Sequence, residues 1–498
     1  MTYWTQSPGP TPAPRPGPHG RWWVLVTVLV IAVVVEALVG LALAPRALVA
    51  VTMARYTNAI VWTPCDDDLS CAHIDAPLDW TDPASPAIQL ALVEHRATGT
   101  RTGTLVVDPG GPGGSGVDMV AGDVRNAVTS TVAAHDDVIG IDPRGVGSST
   151  AVQCGGPSAL DDLLYPGVTG AVGSDAWVRG ERTAAAAFAR SCERHTGELL
   201  AHVDTVSAAH DLELVRRDLG VDRLDYLGYS YGTQLGSVFA GLYPHSVGRF
   251  VLDGAIDPSA SIDEVSKAQS MGFESALAAY LEDCLGTDEC PFSGSVDSAK
   301  QDIADLLSSV QRSPLASTDG RELGSSALLT AIIYPLYSAS SWPYLSQMFD
   351  QVMTGDPTYA FFFADQYNGR DEDGRYINNQ TEAFTAYNCR DYTFDPDPES
   401  MRQAAEELAE AAPIIGPYMG YGDIGCASWP YPDQADRTEI HAEGAAPIVV
   451  VGTTNDPATP YAWSQSLAEQ LDSGVLVTYE GEGHTAYNKG SDCVDAAV

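Results

Sequence analysis

Short apolar runs alternate with helical stretches through the first half of this 498-residue chain. Ile88 to Val93 alternates apolar and small residues, the period of a strand. Thr104-Leu105-Val106-Val107 runs into Asp108-Pro109, and Val138 to Ile141 runs into Asp142-Pro143, so each reads as a short buried strand ending in a turn. Thr205 to Leu219 places Leu212, Val215 and Leu219 on one helical face. Leu224–Leu227 and Arg249–Leu252 are two further strands. Short strands alternating with helices predict an α/β fold with a mostly parallel sheet covered on both faces. The alternation stops after Asp253-Gly254. Residues 255–436 read as helices, including Ser275–Leu281, Ile303–Val310 and Ala327–Tyr337, with aromatic and Asn- and Asp-rich loops near 365–395. Strands return at Pro447–Val451 and Val475–Tyr479. The expected organisation is therefore an α/β core in two parts, 61–254 and 437–498, interrupted by a large helical lid insertion over 255–436.

The N-terminus adds a membrane element. A Pro-rich tail covers residues 1–20. The run from Trp22 to Ala44 is broken only by Glu36, and about 23 apolar residues are enough to span a bilayer. A transmembrane anchor or signal is expected over 21–45, followed by a linker over 46–60. Pro45, directly after Ala42-Leu43-Ala44, argues against cleavage there.

Composition narrows the partners. The net charge of −40 excludes binding to nucleic acid through phosphate neutralisation and fits a solvated acidic surface. All nine cysteines follow the apolar run, and none has zinc-ligand spacing. So many thiols in an anchored, acidic chain point to an oxidising, extracytoplasmic compartment. The expected bridges are Cys65–Cys71, Cys154–Cys192, Cys284–Cys290 and Cys389–Cys426, with Cys493 left over; they are one of several connectivities the sequence allows.

Gly228-Tyr229-Ser230-Tyr231-Gly232 carries the chemistry. It joins a predicted strand to a predicted helix, and a serine between glycines on such a turn is the pattern of a nucleophile elbow. Small flanking residues are required because the turn is sharp, and it presents the serine oxygen at the end of the sheet. Asp456 follows the next-to-last strand and His484 follows the last, giving the order Ser, Asp, His. In this arrangement His484 takes the serine proton and Asp456 fixes the imidazole tautomer. Thr459 could hydrogen-bond Asp456. Backbone N–H groups of Gly111, in the loop Gly110 to Gly116, and of Tyr231 are the candidate oxyanion hole, where one donor can contribute about 3 kcal/mol. The same glycine loop with Asp142 also fits a dinucleotide fingerprint. Pro112, which lacks an N–H, and the second glycine turn after Asp142 count against that reading. No P-loop lysine follows the glycines, and no cofactor or metal is expected.

Together the motifs resemble the α/β-hydrolase-fold peptidases of the proline iminopeptidase type. They resemble more closely the secreted or anchored tripeptidyl aminopeptidases of actinobacteria, which carry a TAP-like C-terminal region. The matching pieces are Pro109 to Gly116, Asp142 to Ser148, Gly228 to Thr233, Leu252-Asp253-Gly254, Asn388 to Asp391, Cys426 with Trp429-Pro430, Asp456 to Pro460 and Gly483-His484-Thr485. One departure is Asp108, where the family more often has Asn; its carboxylate is expected to point away from the oxyanion loop. The resemblance implies cleavage of short peptides from a free amino-terminus, with a carboxylesterase on the same triad as the alternative and a non-catalytic surface binding protein as a second. An acidic subsite for the substrate ammonium is implied in the insertion, with Asp391 as first candidate and Glu274 as second.

Overall fold

The computed structural model describes residue 9 and residues 45–66, 68–167, 170–432 and 437–498. Seven strands precede the helical segment: β1 (Thr63–Asp66), β2 (Leu69–Pro77), β3 (Ala87–His95), β4 (Gly103–Asp108), β5 (Asp136–Asp142), β6 (Leu224–Tyr229) and β7 (Val247–Asp253). A two-stranded hairpin, β8 (Leu315–Ala316) with β9 (Glu322–Leu323), lies within that segment, and β10 (Ile448–Asn455) and β11 (Gly474–Glu482) follow it. Nine of the strands make one sheet in the order β1-β2-β3-β5-β4-β6-β7-β10-β11. The first three pairings are antiparallel, and from β5 through β11 every pairing is parallel.

The expected mostly parallel sheet is therefore present. Its central strands are continuous apolar runs because both faces are covered: every residue of β5 is buried, and Val106, Val107, Leu227, Leu252, Val450 and Val451 are buried around it. At the edge, β11 alternates between half-buried and exposed residues. All five strands from β5 to β10 in sheet order end at one rim. There Asp108, Asp142, Tyr229, Asp253 and Asn455 are the last strand residues, the edge where open α/β sheets place chemistry.

Two elements lack a clear pattern in the sequence. β2 mixes small and polar residues, and the helix Asp175–Thr196 packs mainly through alanines with Val178, Phe188 and Cys192, which gives little apolar contrast. Of the expected linker, residues 46–56 are helical and residues 57–60 are not. Residues 45–55 and Trp80–Ser85 form a small unit of their own, and Tyr56–Asp79 with Pro86–Val498 form the main one. Among the described residues no helix is long and apolar enough to cross a membrane; residues 21–44 of the expected span lie outside them.

Between β7 and β10 the main unit holds seven helices of eleven residues or more: Ile262–Cys284, Val296–Arg312, Ser325–Leu336, Trp342–Met353, Thr358–Asn368, Gln380–Asp391 and Pro398–Ala411. The first starts at a reciprocal cap between Ser261 and Glu264. The first five share a core of their own, built on Phe273, Leu277, Ile303, Leu328, Leu345 and Phe349. The four expected disulfides are formed, and Cys493 is free and exposed.

Candidate active site

Ser230 sits between β6 and the helix Tyr231–Leu242 with φ 53° and ψ −121°, a conformation that costs a side-chain-bearing residue on the order of 1–3 kcal/mol. The neighbourhood holds it there. Ser230 N–H donates to the Asp253 carbonyl at 2.9 Å, and the Ser230 carbonyl accepts from Thr233 N–H at 2.8 Å. The turn fits only because Gly232 lacks a side chain: a Cβ there would lie 2.8 Å from the Asp108 carbonyl oxygen. The helix begins at Tyr231, so the Tyr231 N–H has no intrahelical acceptor and the positive end of the helix dipole lies beside the serine.

The two other triad candidates are joined. His484 Nδ1 lies 2.9 Å from both Oδ1 and Oδ2 of Asp456, whose side chain is 0% exposed against 12% for His484. Asp456 also accepts from the N–H groups of Ala458, Thr459 and Thr485 at 2.8–3.2 Å. The Thr459 hydroxyl donates to Asp456 Oδ2 at 3.0 Å and lies 3.2 Å from His484 Nδ1, so it touches both partners. With Nδ1 committed to the carboxylate, Nε2 is the ring nitrogen left for proton transfer. Ser230 and His484 line one cavity of about 390 Å³, together with Pro109, Tyr337, Ser338 and Lys489.

The glycine loop approaches the serine from the side of β4. A Cβ on Gly110 would lie 2.8 Å from Tyr231 N, so only glycine permits the contact. Gly110 N–H is taken by Asp108 Oδ1 at 2.8 Å, and the Gly110 carbonyl accepts from Gly114 N–H. Of the two adjacent glycine donors, Gly111 is therefore the one outside these bonds. Asp142, a ribose-binding acid in the dinucleotide reading, is fully buried and clamps the loop instead: it accepts from Ser115 Oγ at 2.6 Å, Val117 N–H at 3.1 Å and Ser148 N–H at 2.7 Å.

Three expectations change. Asp108 does not point away. Its side chain is buried under the elbow beside Gly232, and Oδ2 has no hydrogen-bond partner. Burial pushes its carboxyl up to about 7, so its ionised form, which would oppose an oxyanion, is disfavoured there. Asp391 is not among the residues lining the Ser230 cavity. It is half-buried, lines a different cavity with Arg390 and Arg437, and accepts from Thr205 N–H at 3.0 Å and Thr205 Oγ1 at 2.5 Å; that hydroxyl also meets the Tyr231 hydroxyl at 2.7 Å. Glu274 is occupied as well, by Lys300 at 3.0 Å and by the N–H groups of Ile414 and Ile415, which close the helical segment on itself.

Two groups beside the site are not among the candidate site residues of the sequence. Asp253, the last residue of β7, accepts from Ala486 and Tyr487 N–H and so fixes the loop just after His484; burial raises its carboxyl to about 6. Tyr337, from the helical segment, accepts the His484 N–H on its carbonyl at 2.9 Å and packs its ring edge-on against the imidazole at 5.4 Å.

Asp108 gives a pH prediction. Its folded carboxyl titrates well above its unfolded value of about 3.9, so its contribution to stability is full below that value and is lost as pH rises through about 7. Asp108→Asn is expected to gain about 2 kcal/mol relative to the native chain on going from pH 5 to pH 8. Unfolding midpoints of both proteins at the two pH values measure this, and an unchanged gap would refute it.

Comparison with known proteins agrees with this geometry. Residues 412–498 match the family model described as TAP-like protein. The chain is 34% identical over 461 residues to serine protease Hip1 of Mycobacterium tuberculosis, covering 88% of each protein. It is 38% identical over 437 residues to carboxylesterase B of the same organism, covering 86% of this chain and 83% of that protein. Tripeptidyl aminopeptidase of Streptomyces lividans is 29% identical over 470 residues, with 90% and 85% covered. Sheet, rim and relatives together make the chain a serine hydrolase of the α/β-hydrolase fold. It belongs to the TAP-like family of these enzymes, with the mycobacterial Hip1 protease and carboxylesterase B among its relatives.

Proposed function

We propose that the chain is an extracytoplasmic exopeptidase that releases short peptides from free amino-termini through an acyl-enzyme on Ser230. Ser230 Oγ attacks the scissile carbonyl carbon while His484 Nε2 takes the hydroxyl proton. The N–H groups of Gly111 and Tyr231 receive the developing oxyanion. The C–N bond then breaks, and the imidazolium returns its proton to the leaving amine. Water, activated by the same histidine, hydrolyses the ester and restores Ser230. Asp456 orients His484 and stabilises the imidazolium, and Thr459 holds both groups in register.

One observation carries the restriction to short substrates. The segment 255–436 acts as a lid: Tyr337 and Ser338 line the Ser230 cavity, and the Tyr337 carbonyl is bonded to His484 N–H. Cleavage from an amino-terminus draws further support from the likeness to tripeptidyl aminopeptidase. The four disulfides fit an oxidising compartment, with residues 21–45 as the membrane tether. The likeness to carboxylesterase B favours a second reading, an esterase using the same residues.

A panel of tripeptidyl amides with free or acetylated amino-termini, set against simple acyl esters, separates the two. The exopeptidase reading expects amide turnover that falls at least about tenfold on acetylation, the loss of roughly one charge-assisted hydrogen bond. Turnover of esters alone would leave the esterase reading in its place.

A further inference from the structure

The helices Ser325–Leu336 and Thr358–Asn368 turn an unusual surface outward. Between them they carry one charged side chain, Asp365, and it is neutralised by Arg321 at 2.6 and 2.9 Å. In a chain of net charge −40 this strip is apolar instead of acidic. It is also aromatic and continuous. From Tyr337, against the His484 ring, centroid contacts run to Tyr367 at 6.3 Å, from Tyr367 to Tyr334 at 6.2 Å and from Tyr334 to Phe363 at 6.0 Å. Phe362 lies tilted at 5.6 Å from Phe363. Phe363 is buried and anchors the row in the helical core, whereas Tyr334, Tyr367 and Phe362 are 37%, 43% and 48% exposed.

Folding alone does not account for the exposed rings. Each leaves more than a third of its surface in solvent, and adjacent exposed aromatics, unlike scattered ones, mark a contact surface. The inner end of the row reaches the catalytic candidates: Tyr337 lines the cavity of Ser230 and His484, and the other rings continue outward from it through ring contacts.

We infer that Tyr337, Tyr334 and Tyr367, with Phe362 at the outer end, form a specificity subsite for a bulky apolar group of the substrate, an aromatic or long aliphatic side chain next to the scissile carbonyl. The inference rests on Ser230 as the nucleophile and is independent of whether the bond is an amide or an ester. Aromatic rings 6.0–6.3 Å apart receive an apolar chain by area without fixing its length, and the hydroxyls of Tyr337 and Tyr367 are paired with each other, which leaves the rings as the apolar contact.

Two fluorophosphonates, one with an ethyl and one with a phenylbutyl substituent, test it on the intact protein, because both react with the nucleophile whatever its natural substrate. The phenylbutyl probe is expected to label at least about tenfold faster, the range one well-placed apolar group provides. In Tyr334→Ser/Tyr367→Ser the ratio should fall to within about threefold of unity, and in Tyr334→Phe/Tyr367→Phe, which keeps the rings, it should persist. Equal rates in the native protein, or a preference that survives in the serine variant, would overturn the subsite. A phenylalanine variant that loses the preference would overturn it too, since the ring faces would then not be the binding element. Labelling by neither probe would instead overturn Ser230 as the nucleophile, and the subsite with it.

Discussion

Replacing Ser230 by Ala is expected to lower kcat by about 10⁶-fold and to abolish fluorophosphonate labelling, with the fold intact. The size follows from how the site is divided. His484 is held through Nδ1 by a carboxylate that accepts several further hydrogen bonds, so its Nε2 has one role, to take and return the proton of the serine. Without Oγ there is no acyl-enzyme, and the remaining rate comes from substrate binding and the backbone donors alone. His484→Ala is expected to cost about as much, and Ser230→Ala/His484→Ala no more than either, because the two groups act as one unit. Asp456→Asn should lose about 10⁴-fold, because the amide leaves His484 in the wrong tautomer while the packing stays. Ala at 230 keeps the left-handed backbone through the Asp253 and Thr233 bonds, so circular dichroism and the unfolding midpoint should match the native protein. A native chain that fails to react with the probe would favour a surface binding protein that keeps the fold. A Ser230→Ala protein with undiminished turnover would remove the serine from the chemistry.

The triad candidates were legible because each stands at the end of a strand in a local pattern with a physical reason: glycines around Ser230, a turn at Asp456, and glycines before His484. The central strands were legible for the same kind of reason, since a strand buried on both faces must be written as an apolar run. The acidic residues were not legible in this way. A carboxylate in sequence says nothing of its partners, so Asp391 reads as an ammonium site although it is bonded to Thr205 and lies outside the Ser230 cavity, and Glu274 reads likewise although Lys300 already neutralises it. Asp108 shows the opposite failure. Its charge reads as forbidding a place under the oxyanion loop, and burial raises its carboxyl to about 7, which disfavours that charge. Tyr337 could not be found from sequence at all, because its contact with His484 joins residues 147 positions apart, across the junction of the helical segment and the core.

The largest loss of stability is expected from Asp211→Ala, about 3–5 kcal/mol. Arg144 follows β5 in the stretch Asp142-Pro143-Arg144-Gly145, and its side chain is fully buried. Two parallel bonds of 2.7 Å join its guanidinium to Asp211 of the helix Thr205–Asp218, side chains 0% and 1% exposed. Its remaining donors reach the carbonyls of Pro77 and Leu78 at the end of β2 and of His202 before that helix, at 2.9–3.1 Å. The Arg144 carbonyl in turn accepts from the Tyr387 hydroxyl of the helical segment at 2.9 Å, so one residue ties sheet, covering helix and lid together. Removing Asp211 leaves a buried cation facing a void, with no solvent to replace its partner. The apolar pair Arg144→Met/Asp211→Leu removes the charge but strands the three carbonyls, and at about 1 kcal/mol for each lost hydrogen bond it should recover only part of the loss. Denaturant midpoints of the native, single and paired variants measure the difference. If Asp211→Ala unfolds within about 1 kcal/mol of the native protein, the ion pair does not hold these elements together, and their cohesion must be assigned to apolar packing instead.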